Sequence, residues 1–237
     1  MQFKANLFLT LLAILVLGLL VNLGYWQLDR AQQKQDLLDL QDKRLTLKPV
    51  DLMNIDLSDT TLRYLPVNVT GQLDALHQVL IDNQVRNGRA GYSVLTPLRL
   101  NDKQAILLNR GWVPLGNDRK VLPDVKISSL DVLVTGKLDH FPSVGLKLEY
   151  ADQLSEGWPA VTQVIDINKV ANRLGYKILP YQVLLDENEP DGYDRQWVVM
   201  KMGPEKHHGY AFQWFALAIA WVVIYFVLTV KKRREEE

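Results

Sequence analysis

Two uncharged apolar runs, one near each end of the chain, constrain this sequence more than any other feature. The first is LFLTLLAILVLGLLVNLGYW (residues 7–26) and the second is YAFQWFALAIAWVVIYFVLTV (residues 210–230). Each is close to the ~20 apolar residues that carry a helix across a bilayer. Hydrocarbon cannot solvate backbone amides, so both are expected to be helical. A cleaved signal peptide is the alternative for the first run, but the apolar core of a signal usually spans ~7–15 residues and ends at a small-residue site. This run is longer and closes on Asn22-Leu23-Gly24-Tyr25-Trp26, bulky at its end, so an uncleaved anchor is expected.

The flanking charges orient the pair. KKRR (231–234) directly follows the second run, and basic flanks stay cytoplasmic. Two spans return the N-terminus, with Lys4, to the same side. The expected organisation is a short cytoplasmic N-terminus (1–6), a first span (7–26), a central domain (27–209), a second span (210–230) and a cytoplasmic tail (231–237). No Arg- and Ser-rich amphipathic transit segment precedes the first span. The expected setting is therefore a bacterial inner membrane, crossed twice, with the central domain in the periplasm.

Lys+Arg and Asp+Glu are equal at 27 each in 237 residues. That balance argues against a nucleic-acid partner, which selects a basic face. The chain has no cysteine, which excludes disulfides, thiolate metal sites, thiol catalysis and thioether-attached haem.

The central domain begins with QLDRAQQKQDLLDLQDKRL (27–45), rich in helix formers and free of Gly and Pro. It reads as a helical extension of the first span, over 27–47, stopped by Pro49. Beyond it come short runs rich in Val, Leu, Ile and aromatics: YLPVNVTG, HQVLIDNQV, GYSVLTPLRL, QAILLNRGWVPL, LDVLVTGKL, YQVLLDE and RQWVVMKM. Gly, Pro, Asn or Asp separates most of them, as in an antiparallel sheet. One helix interrupts the series, DINKVANRLG (166–175), with Asp166 as N-cap and Gly175 as stop. The stretch 143–160 reads as loops. The expected fold is thus α+β: two transmembrane helices flanking one mainly antiparallel β domain, barrel or sandwich, with one or two helices.

Because both ends of the central domain meet one membrane face, Gly24–Arg30 and Lys206–Trp214 are expected at one depth. Two adjacent imidazoles, His207 and His208, mark that border. Solvated linker, headgroup contact, pH sensor and metal ligand are the open readings. Trp26 and Arg30, four apart on a helix, share a face that is expected to meet His207. Trp and Tyr also gather at membrane interfaces for amphipathic reasons alone.

Elsewhere the bland readings lead. In NRGWVP, Gly111 allows a bulge or close backbone approach, Pro114 ends the strand and Trp112 belongs to the core. Arg110 is either structural or part of a partner-binding face. His77 and His140 are isolated. Asp186, Glu187 and Glu189 lie in LLDENEPDG, whose Asn, Pro and Gly make a turn rather than a metal site. MKM (200–202) offers two thioethers, but without Cys or a nearby His it reads as packing.

Four motifs in order carry a resemblance to a known family. LGYWQLDRAQQKQ (23–35), NGRAGYSVLTPLRL (87–100), NRGWVP (109–114) and HHGYAFQWFALA (207–218) resemble the motifs of the Surfeit locus protein 1 family, with its two-span topology. The segments 115–130 and 143–160 match no pattern of it. The resemblance implies a non-enzymatic assembly factor for haem-copper (cytochrome c) oxidase that helps place haem a in the main oxidase subunit. Aligned on His-x-x-Tyr, it implies His207 as a haem-iron ligand and leaves His208 unmatched.

The residue chemistry is compatible with that implication. Neutral imidazole is the commonest axial ligand of haem iron. Haem a is strongly apolar, so a carrier needs an apolar wall, which Tyr210, Phe212, Trp214 and Phe215 supply, with Trp26 beside them. Arg30 or Lys206 supplies a cation for propionates. The implied partners are the main oxidase subunit, haem A synthase, other assembly factors and the lipid bilayer. Three alternatives stand beside this one: a scaffold for oxidase biogenesis that binds no haem, a membrane-anchored enzyme and a copper-insertion factor. The last needs thiols or clustered Met and His that the sequence lacks.

Overall fold

The computed structural model describes residues 7–142, 148–197 and 202–231. The chain divides into two compact units, Met1–Leu40 with Val198–Glu237, and Gln41–Trp197.

The first unit is a pair of antiparallel helices. Helix α1 runs Leu7–Leu45, and helix α3 runs Pro204–Lys231. At ~1.5 Å per residue, the 39 residues of α1 reach about 58 Å, well beyond a ~30 Å hydrocarbon layer. Both helices are long and apolar enough to cross a membrane. The expected continuation of the first run into a polar helix is present, and α1 stops four residues before Pro49. Helix α3 begins earlier than its apolar run, at Pro204, a residue suited to a first helical turn because its missing N–H has no intrahelical partner there. His207 and His208 are therefore helical.

Small residues bring the pair together. Ala13, Gly24 and Ala31 are buried on α1, and Ala211 and Ala218 on α3. Small side chains let helix backbones approach closely, the usual solution where lipid supplies no hydrophobic drive between helices. Polar contacts run along the seam. Trp221 Nε1 donates to Ala13 O at 3.0 Å, and Thr10 Oγ1 lies 2.8 Å from Tyr225 Oη.

The second unit is built from eight strands: β1 (Val50–Asp51), β2 (Pro66–Leu73), β3 (Val79–Arg86), β4 (Arg89–Asn101), β5 (Gln104–Pro114), β6 (Asp131–Asp139), β7 (Ala160–Thr162) and β8 (Lys177–Leu185). Helix α2 (Ile167–Leu174) precedes β8. The strand order is β1-β2-β6-β8-β5-β4-β3-β7, and a further β2–β4 pairing closes the ring β2-β6-β8-β5-β4. Of the two expected architectures the chain adopts the barrel.

The sheet is mixed, which corrects the expectation of a mainly antiparallel one. β5 and β8 pair in parallel, as do β1 with β2 and β3 with β7. Alternation along a strand reports which face each residue takes, not the direction of its neighbour. A parallel pair needs a long crossover, and the chain from Leu115 to Tyr176 supplies it for β5 and β8.

β5 shows how the core is divided. Its Ile106 and Leu108 join Val67, Val69, Leu98, Leu138 and Val183 in one cluster. Its Ala105 and Leu107 join Val79, Ile81, Leu95 and Val170 of α2 in another. The strand is buried on both faces, so its sequence shows a continuous apolar run rather than alternation. α2 is capped as expected: Asp166 Oδ1 accepts from the backbone N–H of Asn168 and Lys169, and Gly175 takes the left-handed conformation at φ 78°.

The expected strand RQWVVMKM is not present where it is described. Arg195–Trp197 is irregular, and only Asp194 forms an isolated bridge, to Trp112. Its continuation, and with it most of MKM, lies outside the described residues. Residues 148–159 are turns and irregular chain, as expected, and β7 closes that stretch.

Candidate cofactor-binding site

The border residues meet within the helix pair. Gln27 is 9 % exposed, and its Oε1 lies 2.8 Å from Nδ1 of half-buried His207. The sequence led to the expectation that Trp26 and Arg30 would face His207. Gln27 takes that place: it is buried with Gly24 and Ala31 along the seam, while Trp26, turned about 100° from it, and Arg30 are exposed. Trp26 and Arg30 are exposed and contact each other, the guanidinium 5.6 Å from the indole centroid. Arg30 Nη1 also donates to Gln33 Oε1 at 2.9 Å.

On α3, Tyr210 and Trp214 follow His207 at helical spacings of three and seven, which places them on its face. Tyr210 is 45 % exposed, and Trp214 is half-buried. Phe215 turns the other way, into the pair, edge-on to Tyr25 at a centroid distance of 5.5 Å. Phe212 is exposed about 140° round the helix from His207. The expected four-residue aromatic wall is thus divided, with only Tyr210 and Trp214 on the imidazole's face. Lys206 and His208 are exposed. Among the described residues, Nε2 of His207 has no protein hydrogen-bond partner.

The other singled-out residues are structural. Arg110, 1 % exposed, is ringed by neutral acceptors: Nε donates to Asp191 O at 2.8 Å, Nη1 to Gln78 Oε1 at 2.9 Å and Val125 O at 3.0 Å, and Nη2 to Lys126 O at 2.8 Å. Burial pushes its pKa below the usual arginine range. It pins two loops to the barrel. Gly111, at φ 111°, marks a register shift in β5 and a close approach to Asp194, where a Cβ would lie 2.7 Å from the carbonyl oxygen. Trp112 is half-buried, its Nε1 donating to Gln84 O at 2.8 Å. Asp186 caps a turn through Asn188, and the guanidinium of Arg195 closes it onto the carbonyls of Asp186, Glu187 and Glu189. His77 is held by Asp74 at 2.8 Å, and His140 lies against Tyr181.

Sequence reasoning placed Gln27 in the right neighbourhood but paired His207 with the face of Trp26 and Arg30 instead. The available signal was its position: a polar residue three beyond Gly24, and so on the same helical face.

Fold and site together define a class. It is a small closed β barrel set in sequence between two apolar helices, with one imidazole held where those helices pair. The chain belongs to the SURF1 family, whose profile matches residues 14–219. A SURF1-like protein of Rickettsia felis is 23 % identical over 226 residues, covering 92 % of this chain and 95 % of that protein. The cytochrome oxidase assembly protein SHY1 of Saccharomyces cerevisiae is 28 % identical over 177 residues, covering 69 % of this chain and 43 % of that protein. Surfeit locus protein 1 of Xenopus tropicalis is 31 % identical over 121 residues, 44 % of this chain and 38 % of that one.

Proposed function

We propose that this chain is a membrane-anchored, non-enzymatic assembly factor for a haem-copper terminal oxidase, and that it holds haem a transiently at His207 on the way to the main oxidase subunit. Membership of the SURF1 family and similarity to a yeast cytochrome oxidase assembly protein support the assembly role. One observation carries the haem reading: among the described residues, the His207 imidazole is engaged through Nδ1 only, at 2.8 Å from Gln27. Its second nitrogen is left for iron, the preferred partner of imidazole in haem proteins.

The residues present fit an apolar, iron-bearing macrocycle. His207 would ligate, Tyr210 and Trp214 would lie against the ring, Trp26 would extend the aromatic surface at the same helix level, and Arg30 or Lys206 would pair with propionates. Bound haem a supplies the iron centre that the oxidase needs. The chain binds it, screens it from water and releases it. The proposed setting is a bacterial inner membrane with both termini cytoplasmic and the barrel periplasmic, following the basic flank of α3. Proposed partners are the main oxidase subunit, haem A synthase and other assembly factors.

Membranes from a strain lacking the gene test this directly. The reduced-minus-oxidised haem a spectrum and oxidase activity should fall, wild type should restore them, and His207→Ala should not, although it accumulates normally. An intact oxidase signal in the deletion strain rules out the assembly role. Full rescue by His207→Ala leaves a scaffold that binds no haem.

A further inference from the structure

Gln27 is the only side chain among the described residues that hydrogen-bonds His207. The atoms involved decide more than position. An amide oxygen accepts hydrogen bonds and cannot donate. With Oε1 of Gln27 2.8 Å from Nδ1 of His207, the contact is satisfied when a neutral imidazole carries its proton on Nδ1. Nε2 is then the nitrogen with the free lone pair. We infer that Gln27 is a positioning residue: it fixes His207 as the Nδ1–H tautomer and presents an unprotonated Nε2 for coordination.

This inference rests on the haem reading for its purpose but not for its chemistry, which is a property of the ligand-free chain. Three features favour it. Gln27 is 9 % exposed, so little water competes for its oxygen. The contact joins α1 to α3, so the imidazole is oriented by a residue on another helix and not by its own. Finally, Gly24, one turn before Gln27, admits Phe215 so closely that the two helices are held in register there. A hydrogen bond from the non-coordinating ring nitrogen is the general device by which proteins set the tautomer and orientation of a ligating histidine.

The test begins with full-length, ligand-free protein in detergent, labelled with ¹⁵N-histidine. The His207 signals are assigned by their disappearance in His207→Ala. The expected spectrum has a protonated Nδ1 and an unprotonated Nε2 in the neutral ring. Gln27→Met, near-isosteric and without an acceptor for Nδ1–H, should shift the ring toward the Nε2–H form. A wild-type ring protonated on Nε2, or a spectrum unmoved by Gln27→Met, overturns the inference, and the wild-type spectrum decides even where the variant does not fold.

Haem a is then titrated into the same proteins. Gln27→Met should bind about ten-fold more weakly or worse, in line with the ~10–100-fold losses seen when such supporting residues are removed. Gln27→Glu, which keeps an acceptor, should stay close to wild type. If Gln27→Met binds haem a as wild type does while His207→Ala does not, the positioning role is overturned. If His207→Ala itself binds as wild type, the haem reading falls, and the tautomer measurement still decides what Gln27 does.

Discussion

Phe215 occupies the space that a side chain on Gly24 would need: a Cβ built there would lie 2.6 Å from Cε1 of the ring. The ring is also edge-on to Tyr25 at 5.5 Å, so it is fixed from two directions. This contact sets how closely α1 and α3 approach one turn before Gln27 meets His207. Replacing Gly24 by Leu should therefore push the helices apart, at the ~1–3 kcal/mol typical of overpacking. The thermal midpoint in detergent should fall, and Phe215→Ala in the same chain should recover part of it. Additive losses in the double variant would mean that the two residues do not meet.

The two histidines should behave differently in cells. His207 has a partner across the pair and His208 is exposed. His208→Ala should restore oxidase activity to a deletion strain nearly as wild type does, and His207→Ala should leave most of it missing. Equal effects from the two would contradict the site.

Arg110 should be the most sensitive position in the barrel unit. Arg110→Met would leave the carbonyls of Lys126 and Asp191 without a donor, while Val125 O keeps Gln78 Nε2 and the Gln78 amide oxygen keeps the Thr96 hydroxyl. Each such group left unpaired costs about 1–3 kcal/mol, so the loss should be at least about 2 kcal/mol in denaturant unfolding of the full chain. Arg110→Lys should recover only a fraction, since one ammonium cannot reach acceptors arranged around a planar fork.

Alkaline pH should unfold the barrel through its tyrosines. Burial raises the pKa values of Tyr64, Tyr92, Tyr176 and Tyr181, and for Tyr176 the Asp74 carboxylate beside its hydroxyl adds to the rise. A group whose folded pKa is raised stabilises the fold fully below its unfolded value, about 10 for tyrosine, and loses that contribution as pH climbs toward the folded value. The tyrosine contribution should be flat below about pH 10 and fall above it. Tyr176→Phe should make the fall shallower, and an unchanged slope would show that the phenol titrates freely.

Much of the chain was legible before folding. Two uncharged runs of bilayer length define α1 and α3, because an apolar stretch without charges has few other solutions. The cap of α2 was readable in Asp166 and Gly175, since capping depends on residues adjacent in sequence. Gly111 was readable as a point of close approach for the same local reason. The motifs around Trp26, Asn109 and His207 were enough to point to the SURF1 family.

Tertiary structure decided what depends on partners distant in sequence. The parallel β5–β8 pair and the β2–β4 closure were invisible, because a strand carries no mark of its neighbour's direction. Arg110 could be structural or exposed until the carbonyls around it were in place. The site followed the same division. Sequence led to the expectation of histidines and aromatics together where the apolar runs meet the polar chain, since hydropathy changes at those points. Rotation about the helix axes then chose Gln27 over Trp26 and Arg30 as the partner of His207, and small residues at Gly24, Ala31 and Ala211 set that rotation by deciding which faces could close together.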